Sequence, residues 1–428
     1  MQRKLSFEHT PPLSIPLRFF LTAPLFGVLA GLLLLWYGPQ ALTGRWSPLT
    51  LALTHLLTLG LLTMSMTGAL IQLLQVVVGI EVPRVRLTAA IVHGALLLGT
   101  CALTSGFLFS AAILLQLALV FLPVALLWLL GACLIGMWRV KADNVTFAAM
   151  RLALVALCLT AGLGAVTTSA LMGLVALPLV QLTNLHVAWG LLGWVGLLVI
   201  GVAYQVVPMF LVTQVYPLPV TRYLAKCLFG ILIFWSALNL LPSVMWHSLS
   251  SVLSVLVVAA LAIFAAVTMG LLWQRKRRVP DSSILFWYLS MGSLLAGCAI
   301  WLVGTVRPEL AEMPSFALVL GVLFIVGFGY SVINGMLYKI VPFLIWYHLQ
   351  SRLTDIGMKA PNIRKIIPEH AAGRQFYAHL FVLFLMVPAA IFPDQLARLA
   401  GAMFVASSLW LWINLLRALM FYRAALIK

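Results

Sequence analysis

Long apolar runs alternate with short polar breaks along the whole chain. Twelve runs can be read, at approximately 17–38, 48–79, 87–108, 112–138, 145–172, 183–212, 223–242, 248–273, 283–304, 314–346, 377–393 and 397–420. Charges, Pro and Gly bound them, as they bound helices generally. About 20 apolar residues carry a helix across the hydrocarbon core, so each run predicts one transmembrane helix. Runs two, six and ten are the longest and must tilt or protrude past the hydrocarbon. The longest polar break, 348–375, holds Lys359, Arg364, Lys365, Arg374, Pro361 and Pro368. It reads as a solvated cytoplasmic loop (347–376 at its widest) against anionic headgroups, with a partner-docking segment as the lesser reading.

The long runs share an internal pattern. Run two holds Gly68 with Gln72, run six Gly201 with Gln205 and Pro208, and run ten Gly335 with Lys339 and Pro342. Each copy reads Gly, three residues, Gln or Lys, two aliphatics, then Pro in two of the three. The glycines are 133 and 134 residues apart, and each interval holds four runs. The copies therefore cross the membrane in the same direction and at the same depth. A repeat with such a period predicts repeated structural units. The expected fold is all-α and integral to the membrane: twelve helices in three four-helix arcs around a pseudo-threefold axis. One membrane domain spans 1–428, with repeat units near 17–138, 145–273 and 283–420. Three parallel copies differ from the two inverted repeats of many transporters.

Composition agrees. Hydrophobic residues make up 64% of the chain and charged residues 8%, against about 25% charged in soluble domains. A water-soluble fold could not cover its surface with so few charges. The net charge of +17 would suggest nucleic acid in a soluble protein. Here 22 of the 26 Lys and Arg fall in alternate loops on the side that holds both termini. Three (Arg45, Arg307 and Arg398) fall on the other, and Lys339 lies inside run ten. That bias predicts cytoplasmic termini, in a bacterial inner membrane, and no nucleic-acid partner. Trp36, Trp46, Trp138, Trp246, Trp273 and Trp346 sit near run ends, as an interfacial belt expects. The five cysteines form no CxxC pair, so neither a disulfide framework nor a zinc site is indicated. No cleavable leader is expected, because 1–18 is polar and the first span follows without an A-x-A site.

Eight histidines are candidates for chemistry. His9, His247, His348 and His370 fall in termini or loops and His379 at the edge of run eleven; these are expected to be solvated. His55, His93 and His186 lie inside runs. Twelve spans in three four-helix arcs, with His55 and His186 on the second span of their arcs, resemble the heme–copper oxidase catalytic subunit. The likeness covers nearly the whole chain and extends to the NnrS-like twelve-span relatives of that superfamily. It implies a heme site, with His55 at the span-two heme-ligand position and His186 at a span-six copper-ligand position. Runs seven and ten contain no histidine, and Leu320 and Val322 stand at the run-ten equivalents. The chain is therefore not expected to be a working terminal oxidase.

Another arrangement follows from the residues. His55 precedes its repeat glycine by 13 residues and His186 by 15. Two residues rotate a helical side chain by about 200°, which would let both face one heme b, with copper as the other metal considered. Plain buried imidazoles bonded to backbone or water are the structural alternative. His93 lies too far in depth to share that iron. Lys339, with Gln72 and Gln205 at its equivalents, reads as a snorkelling or carbonyl-capping cation, or as part of a proton or anion path with Tyr204 and Tyr338. The nine carboxylates all lie in loops, near run ends or in the N-terminal tail. That argues against an acidic relay through the membrane. The expected function is a membrane heme protein, with or without copper, in electron transfer or in a nitric oxide or oxygen stress response, with its electron partner on the outer face. The alternatives are a permease with the same fold and no redox centre, and a structural subunit.

Overall fold

The protein is described by a computed structural model over residues 10–76, 79–138, 145–241, 247–275, 279, 281–354 and 358–427. His9 and most of the Arg275–Arg278 cluster lie outside the described residues. Helices form nearly all of it, and no strand occurs among the described residues. Run one is α1 (Ser14–Tyr37). Run two is α2 (Pro48–His55), a π-helical stretch at Leu56–Thr63, and α3 (Met64–Val76). Runs three to five are α4 (Val85–Phe109), α5 (Ala112–Trp138) and α6 (Val145–Leu171). Run six is α7 (Leu179–Val187), a π-helical stretch at Ala188–Gly196, and α8 (Leu197–Leu211). Then come α9 (Ala225–Leu240), α10 (His247–Trp273), α11 (Ser282–Val306) and a short α12 (Pro308–Ala311). Run ten is α13 (Pro314–Val322), a π-helical stretch at Leu323–Tyr330, and α14 (Ser331–Thr354). The chain ends with α15 (Glu369–Ala389) and α16 (Pro393–Ile427).

Eleven helices among the described residues are long and apolar enough to span a bilayer. The protein is a multi-pass membrane protein. Its exposed Trp36, Phe109, Phe234, Trp273 and Phe384 belong to a surface that meets lipid. The twelfth expected span is α15, which is not among the eleven. It begins at Glu369 rather than near 377, so Arg374, Gln375 and His379 all lie in its first half. The polar break is correspondingly shorter than expected, because α14 runs on to Thr354 and α15 starts before the break should end. Gln375 is fully buried rather than solvated.

The chain divides into two compact units. One comprises Met1–Ala89, Arg278–Ser290 and Pro314–Lys428, and the other Ala90–Arg277 and Met291–Met313. In the first, α1 packs along α16 through Gly31 and Gly401. A Cβ on Gly401 would lie 2.5 Å from Leu35 N and 2.9 Å from Gly31 O. Apolar burial gives helices little reason to associate in lipid, so such close backbone approach and its dispersion contacts carry the packing. In the second unit, α6 packs against α7, the π-helical stretch after it, and α8.

The repeat has a structural counterpart. π-Helix is rare, and it occurs here within each of runs two, six and ten, beginning 12, 13 and 12 residues before the repeat glycine, with a further short stretch at Val220–Leu224 before α9. The repeat glycines also make matching contacts. A Cβ on Gly68 would lie 2.7 Å from Phe19 Cβ, one on Gly201 2.5 Å from Ala149 Cβ, and one on Gly335 2.9 Å from Phe286 Cβ. Phe19, Ala149 and Phe286 belong to α1, α6 and α11, the first helix of each sequence repeat. A second glycine stands eight residues earlier in every copy: Gly60, Gly193 and Gly327. Gly60 meets Phe26 of α1 and Gly193 meets Ala156 of α6, each seven residues beyond the first contact on the same helix.

Candidate functional site

His55 is the last residue of α2, and the π-helical stretch begins at the next residue. Its ring is half-buried, and Nδ1 lies 2.8 Å from Leu51 O one turn back. His186 stands two residues before the second π-helical stretch. It too is half-buried, with Nδ1 3.1 Å from Thr160 O on α6. A carbonyl can only accept, so in both rings the proton is on Nδ1 and Nε2 is the acceptor. A metal-bound histidine has this arrangement, its second nitrogen donating to a carbonyl or carboxylate. The His186 ring lies over Gly164, where a Cβ would come within 3.0 Å of Cε1. The glycine leaves the ring its room. Next to it, Trp189 is buried, donates to Ser236 Oγ at 3.0 Å and stands edge-on to Phe229. His55 belongs to the first unit and His186 to the second.

Both histidines therefore fit an axial heme ligand in donor chemistry. A copper centre of the oxidase kind needs three ligands close together. No group of three His, Cys, Asp or Glu able to hold a metal occurs among the described residues.

The other polar positions separate from these two. His93 is half-buried on α4. Gln205 is half-buried on α8, whereas Gln72 is buried with no partner at Oε1. Tyr204 donates to Val220 O at 3.1 Å. Lys339 pairs with Asp281 at 2.5 Å, with both side chains part-buried. Asp281 also accepts from Ser283 N at 3.0 Å, and Glu369 accepts from Ser282 N at 2.5 Å and from the Ser282 hydroxyl. The two acids thus cap the start of α11 while Asp281 balances the lysine.

His379 corrects the expectation of a solvated edge residue. It is completely buried, with Nε2 2.8 Å from Ser331 Oγ, and is edge-on to Tyr330 with Phe286 close by. Ser331 Oγ reaches Val326 O at 3.3 Å. Ser331 therefore donates to that carbonyl and accepts from His379 Nε2–H, which leaves Nδ1 a buried acceptor with no partner. Polar pairs continue from there on α14, α15 and α16: Tyr330 with Ser408, Gln375 with Ser407, and Asn414 donating to Tyr338. Sequence reasoning missed this group because its members look like isolated polar residues in apolar helices. The one available signal was their i, i+4 spacing, Gln375 with His379 on α15 and Tyr330 with Asn334 and Tyr338 on run ten.

No protein-family model matches the chain, and no curated protein matches it.

Proposed function

We propose that the protein is a membrane heme-binding protein that carries electrons, with the oxidase-like plan of twelve spans in three arcs and with cytoplasmic termini. His55 and His186, one in each unit, are its proposed histidine ligands for heme b. The observation that carries this reading is their shared setting. Both imidazoles lie within spans at the lip of a π-helical stretch, and π-bulges concentrate at functional sites. Both also fix the proton on Nδ1 and turn Nε2 into a donor for iron.

A heme with histidine ligands supplies one-electron chemistry, and its potential is set by ligand, burial and hydrogen bonding. The chain's own contribution is orientation. Leu51 O and Thr160 O hold the rings in one tautomer, and Gly164 admits the His186 ring against α6. Runs seven and ten supply no histidine, so turnover of oxygen or nitric oxide is not part of the reading.

The test is the absorption spectrum of the purified protein, oxidised and dithionite-reduced, for the wild type and for His55→Ala, His186→Ala and His93→Ala. Each of the first two variants should remove the low-spin signal of the iron that its histidine holds. His93→Ala should leave the spectrum unchanged. A colourless, folded wild type would end the heme reading. It would select a permease on the same fold, which the buried polar series on α14, α15 and α16 favours.

A further inference from the structure

The first unit contains a graded series of buried polar groups that the heme reading does not use. At its rim are Lys339, Asp281 and Glu369, partly open to solvent. Next come Tyr338 and Asn414, bonded at 2.9 Å. Gln375 and Ser407 follow at 3.3 Å, and the series ends at His379 with Ser331 and at Tyr330 with Ser408. The order of depth is the same on all three helices. Along α14 from Lys339 back to Ser331 it covers eight residues, roughly 12 Å at 1.5 Å per residue. It therefore runs from the face that carries the basic loops to the middle of the span.

Gln375 Oε1 and His379 Nδ1 are buried with no hydrogen-bond partner, and the buried Asn334 amide lies beside the Tyr330 hydroxyl with polar capacity to spare. Orphaned polar atoms are costly away from water, and native interiors resolve such groups with ordered water. The remaining capacity of the Asn334 amide, an acceptor on Gln375 and an acceptor on His379 are the kind of partners a buried water needs. The titratable groups facing His379 along the series are Tyr330 and Tyr338, with Lys339, Asp281 and Glu369 at the rim.

We propose that this series is a water-filled half-channel that opens beside Lys339 and Asp281 and ends at His379. It brings water, and the protons water carries, to the middle of the membrane from the basic-loop face. The inference does not depend on heme.

The test uses the full chain in vesicles, in a background with the five native cysteines replaced. Ser331→Cys and Asn334→Cys are exposed to silver ion, which travels through water and not through lipid, from either face in turn. Remaining thiols are then counted by maleimide labelling after denaturation. Val341→Cys is the control. Val341 is fully buried on the same helix and nearer the rim, and it belongs to none of the polar pairs of the series. Both test cysteines should react at least tenfold faster than the control, and only from the basic-loop face. Rates less than tenfold above the control, or reaction from the opposite face, overturn the proposal. Ser407→Cys, on the facing helix, applies the same criterion should Ser331→Cys fail to fold.

Discussion

At the scale of the residue, His379 and Ser331 raise the question of why a membrane core keeps a polar pair. The ring is surrounded by Phe286 and Tyr330, so an aromatic hydrocarbon would suit the space. Removing one member of a buried hydrogen bond leaves the other unsatisfied, whereas replacing both with apolar groups of similar shape can be nearly neutral. His379→Ala should therefore cost about 2–4 kcal/mol, from a cavity plus an orphaned Ser331. His379→Phe combined with Ser331→Ala should stay within about 1 kcal/mol of wild type. Denaturation in mixed SDS micelles gives both values. A double variant as unstable as the single one would show that the pair is held for packing and not for its polarity. Polar residues at this scale were the least legible part of the sequence. Arg374, Gln375 and His379 look like the end of a loop, because hydropathy scores each residue without its partners. Their partners come from α14 and α16, and Ser407 and Ser331 make Gln375 and His379 tolerable inside the unit. The partner of Lys339 was not legible either, since its counter-ion Asp281 is 58 residues away in sequence. His55, His186 and the repeat glutamines were legible as intramembrane polar positions, but not the carbonyls that orient the two rings.

At the scale of the element, the three long helices have a common construction: a π-helical stretch, then an α-helix whose glycine touches the first helix of its repeat. The glycines were legible as a motif at Gly68, Gly201 and Gly335. The matching Gly60, Gly193 and Gly327 were equally available eight residues upstream and show why the pattern exists. Two glycines about two turns apart give a helix a flat edge along which a neighbour can lie. The π-helical stretches were not legible, because Leu, Val, Phe and Gly at those positions serve an α-helix equally well. The contact at Gly201 is a sensitive test, since an added Cβ would lie 2.5 Å from that of Ala149. Gly201→Ala should destabilise the second unit by about 1–3 kcal/mol, as overpacking does. Adding Ala149→Gly should recover most of that loss by moving the methyl group from one helix to the other. A coupling energy near zero in this double-mutant cycle would mean that the two helices do not meet there.

At the scale of the whole molecule, composition and run spacing were enough to read an all-helical membrane protein with about a dozen crossings. The grouping of its helices was not readable. Hydropathy is local, and the first unit is built from the two ends of the chain, with α1 against α16. In lipid that union depends on shape, and its tightest point is backbone on backbone. A side chain at 401 would meet Leu35 N, Leu34 C and Gly31 O, none of which a rotamer change can move. Gly401→Val should therefore part α1 from α16 and open the first unit, a loss well beyond the 1–3 kcal/mol of an ordinary overpacked site. The second unit, Ala90–Arg277 with Met291–Met313, has its own internal packing and should outlast the first. Limited trypsin digestion in detergent tests this. Exposed Arg364 and Lys365, near the start of α15, should be cut rapidly in the variant, while a fragment covering most of 90–275 persists as in wild type. Loss of both units at the same rate would mean that they unfold as one, so that the α1–α16 contact governs the stability of the entire chain rather than that of the unit it closes.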